Sequence, residues 1–374
     1  MRGLQVYIYQ KAGWPVFIWD SEGILLKVST ISHKQGRLLG RMEHLGFNLQ
    51  SEAILQTMTT EAIKSSEIEG EVLDPDQVRS SIARRLGIDI GGLMPIDRNV
   101  EGIVEMMLDA TQNFQKQLTE DRLFGWQTAL FPGGRSGMQK ITVGNWRDNS
   151  PDDPMQVVSG AMGKEKVHYQ APDADKVPDE MNKFLTWYNS SIEINPILKA
   201  GIAHLWFVTI HPFDDGNGRV ARTITDMQLA RADGIPQRFY SMSGQVRLER
   251  NEYYNILEKT QKSSLDITEW LIWFLDCLER VLNDAEKLLS VVIYKSRYWD
   301  WLKEKSLNEG QKLIINKLLD GFNGKLTTSK WAKIAKCSSD SALRDIQNLI
   351  TQGILEKESG GGRSTSYSLV ALRD

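Results

Sequence analysis

HPFDDGNGRVAR, from His211 to Arg222, is the stretch on which the reading of this chain turns. An apolar run, ILKAGIAHLWFVTI (Ile197 to Ile210), precedes it and reads as a buried helix. A second helix-like run, TITDMQLARA, follows from Thr223. The chain therefore turns between two helices. The turn holds a histidine, two carboxylates, two glycines, an asparagine and two arginines, each suited to chemistry on phosphate. Gly216 and Gly218 let backbone N–H groups approach phosphate oxygens without a side chain between. A helix that begins at the turn offers free N–H groups and the positive end of its dipole to an anion. Arg219 and Arg222 lie three apart, on one helix face, and can fork onto further phosphates. A carboxylate can hold Mg²⁺ against them. His211 is the natural general base. A lone histidine or a lone Gly-x-Gly would be a turn or core feature in most proteins; the complete order carries the argument here.

The bulk properties set the frame. With 374 residues, two or three domains are expected. Charged residues make up 25% and hydrophobic ones 41%, ordinary for a soluble globular chain. A net charge of −3 exerts no global pull toward nucleic acid or an anionic membrane. Cys277 and Cys337, on separate segments, make neither a disulfide framework nor a cysteine zinc site, and fit a reducing cytoplasm. The histidines are scattered. The start, MRGLQVYIYQKAGWPVF, lacks a signal-peptide core, and apolar runs such as ITEWLIWFLDCL (Ile267 to Leu278) are too short or too charged to span a bilayer. No membrane partner is expected, and no internal repeat is visible.

Along the chain, residues 1 to about 30 read as short strands and turns around Gly13-Trp14-Pro15. Helical spacing dominates from Ile31 to Glu71, and GIDIGGLM (Gly87 to Met94) is a break. Asp97 to Ala110 and Thr119 to Leu130 read as helices. Residues 131–178 are the least helical, with two strand-like runs, MQVVSG and KVHYQA, forming one hairpin. Helix returns at Pro178 to Asn189 and Pro196 to Ile210. After the motif it continues over Thr223 to Asp233, Glu252 to Lys262, and Thr268 to Ser290 and beyond. From about Asn308, EGQKLIINKLLDGF, SKWAKIAKC and SDSALRDIQNLITQ give three short helices, followed by two strands around a Gly-rich turn. That is the order of a winged-helix domain. DNA is the functional reading of such a domain, and a packing or interaction module the bland one. The third helix sets Asp340 and Asp345 beside Arg344, a poor phosphate-binding face, so the module is favoured over DNA.

The His211–Arg222 stretch matches HxFx(D/E)GNGRxxR throughout, and the chain resembles the Fic family. Ser65 to Gly70, SSEIEG, is similar to the family's inhibitory pattern (S/T)xxxE(G/N), with Glu69 as its acid. By position alone Glu69 is a solvated acid at a helix end, mildly opposed to the dipole. The resemblance supplies a cationic partner, Arg222. MQVVSG and KVHYQA fall where the family has its flap hairpin, which puts Val157, Val158, Ser159 and Gly160 at the nucleotide. GNWRD (Gly144 to Asp148) resembles the family's lead-in. Tyr253 and Tyr254 fall where the resemblance puts the adenine pocket, although two tyrosines on a helix are more often half-buried packing. Gln261 departs from the asparagine of some relatives.

The resemblance implies a mainly α fold: a Fic-type helical core with a β-hairpin flap, plus a small C-terminal winged-helix domain. The corresponding boundaries are 1–95, 96–300 and 301–374. It also implies protein AMPylation, the transfer of AMP from ATP to a Ser, Thr or Tyr hydroxyl of a target protein. His211 would be the base and Asp215 the Mg²⁺ ligand. Asn217 and the N–H groups around Gly216 and Gly218 would cradle the α-phosphate. Arg219 would take the leaving phosphates and Arg222 the γ-phosphate, with Glu69 silencing the site. Phe213 is expected in the core, and Asp214 exposed without a catalytic role. The target would dock on the flap edge as an added strand; self-modification and a homodimer stay open. Removal of AMP by the same site and transfer of another nucleotide remain alternatives, as does a DNA-binding regulator with a Fic sensor domain. Kinase relatives carry lysine where this chain has Gly218, which disfavours that reading.

Overall fold

A computed structural model describes residues 6–43, 45–88, 95–160, 164, 166–191, 193–319, 322, 324–358 and 365–372. The chain divides into two compact units, Met1–Ala285 and Glu286–Asp374. The first contains helices α1 (Ser21–Glu43), α2 (Phe47–Ile68), α3 (Pro75–Leu86), α4 (Arg98–Gln112) and α5 (Glu120–Leu130). Two hairpins follow, β1 (Arg135–Ser136) with β2 (Gln139–Lys140), then β3 (Gln156–Ser159) with β4 (Lys166–Gln170). The unit continues with α6 (Val177–Asn189), α7 (Pro196–Ile210), α8 (Asn217–Asp233), α9 (Met242–Leu248) and α10 (Arg250–Gln261). Helix α11 (Thr268–Leu302) begins in the first unit and ends in the second.

The expected mainly α fold is what the chain adopts. Its centre is α7, in which every residue from Ile197 to Ile210 is buried. Asn195 caps it by accepting the Ile197 N–H at 2.9 Å, and Pro196 opens its first turn. Helix α8, buried from Val220 to Ala230, packs along it. Helix α2 lies against α9, fixed there by Glu61: its carboxylate accepts the Ser241 hydroxyl at 2.7 Å and the Ser243 N–H at 3.0 Å. Asp74 caps α3 through the N–H groups of Asp76 and Gln77, and Gly87 closes it. Beyond Ile88, the rest of the GIDIGGLM break up to Met94 lies outside the described residues.

Four expectations differ from the structure. Helix begins at Ser21, not Ile31; ahead of it stand a 3-10 turn (Ile8–Gln10) and an isolated bridge from Ile18 to Asp266. Asp20 starts α1 by accepting the Glu22 and Gly23 N–H groups, and Ile24, Val28 and Ile31 already follow helical spacing on its buried face. The expected single helical stretch up to Glu71 is two helices, α1 and α2, with the chain leaving helix at Leu45-Gly46. Helix α9, capped by Ser241 through the Gly244 N–H, was not anticipated, nor was the β1–β2 hairpin. Helix α8 starts at Asn217, as expected of a helix that begins at the turn and carries Arg219 and Arg222.

The second unit holds α12 (Glu309–Leu319), α13 (Thr328–Ile334), α14 (Ser339–Thr351) and the hairpin β5 (Leu355–Lys357) with β6 (Tyr367–Leu369). Trp331, Ile346, Leu349 and Tyr367 meet Tyr298 and Leu302 in its core. On α14, Arg344 and Asp340 are exposed, while Asp345 accepts a hydrogen bond from Asn308 at 2.8 Å. Among the described residues no helix is long and apolar enough to cross a membrane.

Candidate active site

Helix α7 ends on His211, which has φ 53° and ψ 58°. A left-handed conformation costs a residue with a side chain roughly 1–2 kcal/mol, so the surroundings must hold it. Arg147, buried in the GNWRD segment, donates from Nε to the His211 carbonyl at 2.8 Å, and its N–H donates to the Pro212 carbonyl at 3.0 Å. Its guanidinium also reaches the Pro172 carbonyl beyond β4 and Asn149. Asn217 closes the turn from the other side. Its Oδ1 accepts the Phe213 N–H at 3.0 Å and its Nδ2 donates to the Phe213 carbonyl at 2.7 Å. As expected, Phe213 is in the core, packed against Trp146 and Phe207.

The His211 imidazole has Nδ1 3.3 Å from the Val208 carbonyl. A carbonyl only accepts, so Nδ1 carries the proton and Nε2 the lone pair. Burial is the main cause that pushes its pKa down to about 4, helped by the Arg147 charge; the Val208 carbonyl, Glu69 and Asp215 oppose it. At neutral pH the ring is therefore uncharged and able to accept a proton.

Asp215 is engaged through both oxygens: Oδ2 accepts the Ser136 hydroxyl from β1, and Oδ1 accepts the Gly216 N–H. Asp214 is not exposed as anticipated. It is half-buried, because its Oδ2 accepts the Thr142 N–H at 2.8 Å and ties the β2 exit to the turn. The first N–H groups of α8, at Asn217, Gly218 and Arg219, have no acceptor within the helix.

Both motif arginines meet acids from the end of α2. Arg222 Nη2 lies 2.8 Å from Glu69 Oε1 and donates at 2.9 Å to the Ser65 carbonyl, while its Nε donates to the Ser65 hydroxyl at 2.9 Å. Arg219 Nη1 lies 2.6 Å from Glu71 Oε2, with its guanidinium 5.0 Å from the centre of the Phe131 ring. Glu69 is packed so closely on Gly218 that a Cβ there would sit 2.1 Å from Oε1, so a larger residue would require the Glu69 carboxylate to move. Tyr254 directs its hydroxyl toward Glu69 Oε2, at 3.5 Å.

A cavity of about 510 Å³ opens in front of these groups. Glu69, Val157, Val158, Ser159, His211, Asp215, Gly216, Asn217, Gly218, Tyr253 and Tyr254 all line it. Gly160, Arg219 and Arg222 are not in its wall. Tyr253 is almost fully buried, its hydroxyl 2.9 Å from His204 Nε2, so it presents only part of its ring. Gln261 lines the cavity with its amide near Val208 and Thr209. The hairpin wall pairs Val157 with Tyr169 and Val158 with Val167, with a register shift between them; of residues 161–165 between the strands, only Lys164 is among the described residues.

Sequence reasoning did not single out Ser136, Thr142, Glu71, His168 or Glu258. His168 lies in KVHYQA, quoted only as a strand. Its Nε2 is 2.6 Å from Ser159 Oγ and its Nδ1 is 2.6 Å from Glu258 Oε2, fastening β4 to α10 across the cavity. Burial opposes ionisation of Glu258, yet Lys262 and His168 hold its carboxyl below the ordinary value. Glu71 stands one residue past the recognised SSEIEG.

Residues 117–229 match the model of the Fic/DOC family, and residues 7–88 match a domain of unknown function, DUF4172. The chain is 35% identical over 105 residues to the protein adenylyltransferase Fic of Drosophila yakuba, covering 28% of this chain and 20% of that one. It is 35% identical over 105 residues to the Aedes aegypti protein of the same name, covering 28% and 19%. The chain thus spans about a fifth of the length of these curated relatives. The crystal structure of a Fic family protein from Desulfovibrio desulfuricans G20 superposes with a TM-score of 0.50 at 19% identity, over 93% of this chain and 97% of that chain, a likeness of fold. The turn from His211 to Arg222 lies inside the segment that matches the Fic/DOC family model.

Proposed function

We propose that the protein transfers AMP from ATP to a Ser, Thr or Tyr hydroxyl of a target protein, and that Glu69 keeps it inactive. One observation carries this reading: a neutral His211 lines the same cavity as Asp215, Asn217 and Gly218, whose first-turn N–H groups have no acceptor within α8. The names of the curated relatives, protein adenylyltransferase Fic, support the choice of reaction.

The residues divide the work as follows. The α-phosphate sits against the N–H groups at Gly218 and its neighbours, where the helix dipole favours its charge. The target hydroxyl attacks phosphorus and gives its proton to His211 Nε2; the bond from phosphorus to the bridging oxygen breaks, and pyrophosphate leaves. Asn217 keeps the turn in shape through Phe213 rather than touching phosphate with its side chain. The described residues hold no group of three or more His, Cys, Asp or Glu able to cage a metal. A single carboxylate beside a polyphosphate nevertheless fits Mg²⁺, which takes most of its ligands from phosphate and water. Asp215, positioned by Ser136, would hold it there, and the ion would neutralise phosphate charge. The flap supports target docking: Val158 and Val167 are cross-strand partners and both are exposed.

The test is incubation with α-labelled ATP and Mg²⁺, with and without lysate, for the wild type, Glu69→Gly and His211→Ala. Label on a protein band that needs His211 supports transfer, on a separate target or on the protein itself. No label from Glu69→Gly in either setting overturns it. A second reading, removal of AMP, draws on the Glu69 carboxylate lining the same cavity as His211, where it suits a water molecule. Release of AMP from a modified target by wild type but not by Glu69→Gly would select it.

A further inference from the structure

The geometry points to a two-acid clamp: Glu71 is a second inhibitory residue that holds Arg219 while Glu69 holds Arg222, so a polyphosphate must displace both carboxylates together. This deepens the proposed function and rests on reading the start of α8 as a polyphosphate site.

The clamp begins with how α2 ends. Glu69 is its terminal cap. Gly70, at φ 86°, takes the left-handed conformation, and its N–H donates to the Glu67 carbonyl at 3.1 Å. The Glu71 N–H donates back to the Ser66 carbonyl at 3.0 Å. This is a Schellman closure, and it turns the chain sharply enough that residues 69 and 71 face one neighbour. That neighbour is α8, where Arg219 and Arg222 are three apart on one face. The spacing of two acids across a Schellman turn thus matches the spacing of two bases along a helix. Both pairs form, at 2.8 Å and 2.6 Å.

The arginines are buried while the acids are not. Arg222 and Arg219 keep 3% and 7% of their side-chain surface, whereas Glu69 and Glu71 keep 32% and 33%. The bases are held in the interior behind the cavity, and the acids, one-third exposed, are the exchangeable partners. Among the described residues, Nη1 of Arg222 and Nε of Arg219 are buried without a hydrogen-bond partner. Nη1 also lies beside Gly218: a Cβ on that residue would be 3.2 Å away. The two guanidiniums therefore hold more donors than the two carboxylates satisfy, as a site for a multiply charged anion requires. Removing Glu69 alone frees Arg222 but leaves Arg219 neutralised.

The experiment measures binding of ATP and of inorganic tripolyphosphate, each with Mg²⁺, by calorimetry. Wild type, Glu69→Gln, Glu71→Gln and the double variant are compared. Glutamine keeps the backbone closure and removes the charge. Each single variant should bind both probes tighter than wild type, and the double variant should exceed Glu69→Gln by roughly 3- to 5-fold, as suits a partly exposed ion pair. Glu71→Gln without effect on either probe, in both backgrounds, overturns the clamp even if AMP transfer is real. Tighter binding in Glu71→Gln when no variant labels any protein leaves the clamp standing and removes the transfer reading.

Discussion

Arg147 Nε donates to the carbonyl of His211 at 2.8 Å, so a buried arginine sixty-four residues away holds the backbone of the candidate base. His211 needs that support because its left-handed conformation is intrinsically unfavourable. Arg147→Lys keeps the charge and loses the fork. Its transfer rate should fall roughly 10- to 100-fold, as expected of a small misplacement at the reacting centre, with the KM for ATP little changed. Steady-state kinetics in a Glu69→Gly background checks this; a change in KM alone would remove Arg147 from positioning.

His211→Ala should lower transfer by about 10²–10⁴-fold while ATP still binds. The pH profile gives an independent check. His211 is depressed to about 4, so the lone pair on Nε2 survives through neutral and mildly acidic conditions. As pH falls through about 4 the ring protonates and the base is lost. The kcat/KM of Glu69→Gly should therefore stay flat from pH 7 to about 5 and drop only below. An acid limb centred near 6.5 would mean that the ring titrates as if solvated.

Glu69→Gly should label targets much faster than wild type. The cost in stability should be modest, about 1 kcal/mol, because Glu69 is one-third exposed and Ser65 still satisfies two donors of Arg222. Thermal melting should show a small decrease that ATP with Mg²⁺ reverses.

The two tyrosines should separate. Tyr254→Ala should raise the KM for ATP, by about 1–3 kcal/mol if a base stacks on the ring. Tyr253→Phe removes the hydroxyl from buried His204 and should lower the melting temperature, at about 1–2 kcal/mol, with ATP affinity unchanged. Equal behaviour of the two variants would reject this division.

The second unit is expected to leave duplex DNA unbound at low salt. Asp345, tied to Asn308, and exposed Asp340 flank Arg344 on α14. A salt-dependent gel shift lost on Arg344→Ala would reverse that expectation.

The turn between α7 and α8 was legible because its determinants are local: the residue types, their order and the apolar run before them. Glu69 and the flap strands were legible through the same kind of pattern. What pairs with what was not. Arg147 on His211, Ser136 on Asp215 and Glu71 on Arg219 join residues 64 to 148 positions apart. No periodicity encodes such contacts. Asn217 shows the same limit, since its identity fitted a phosphate cradle while its side chain is spent on Phe213. The start of α1 carried a usable signal, Asp20 followed by Ile24, Val28 and Ile31, which the aromatic-rich approach obscured.

The Asn217–Phe213 double hydrogen bond has a thermodynamic corollary. A loop already confined to one shape loses little conformational entropy when an anion arrives. Nucleotide binding here should then carry almost no ordering penalty from the turn, and its enthalpy should follow the exchange of carboxylate for phosphate at the two guanidiniums. Differences in affinity between ATP, ADP and AMP would count negative charges rather than report how well each ligand organises the turn.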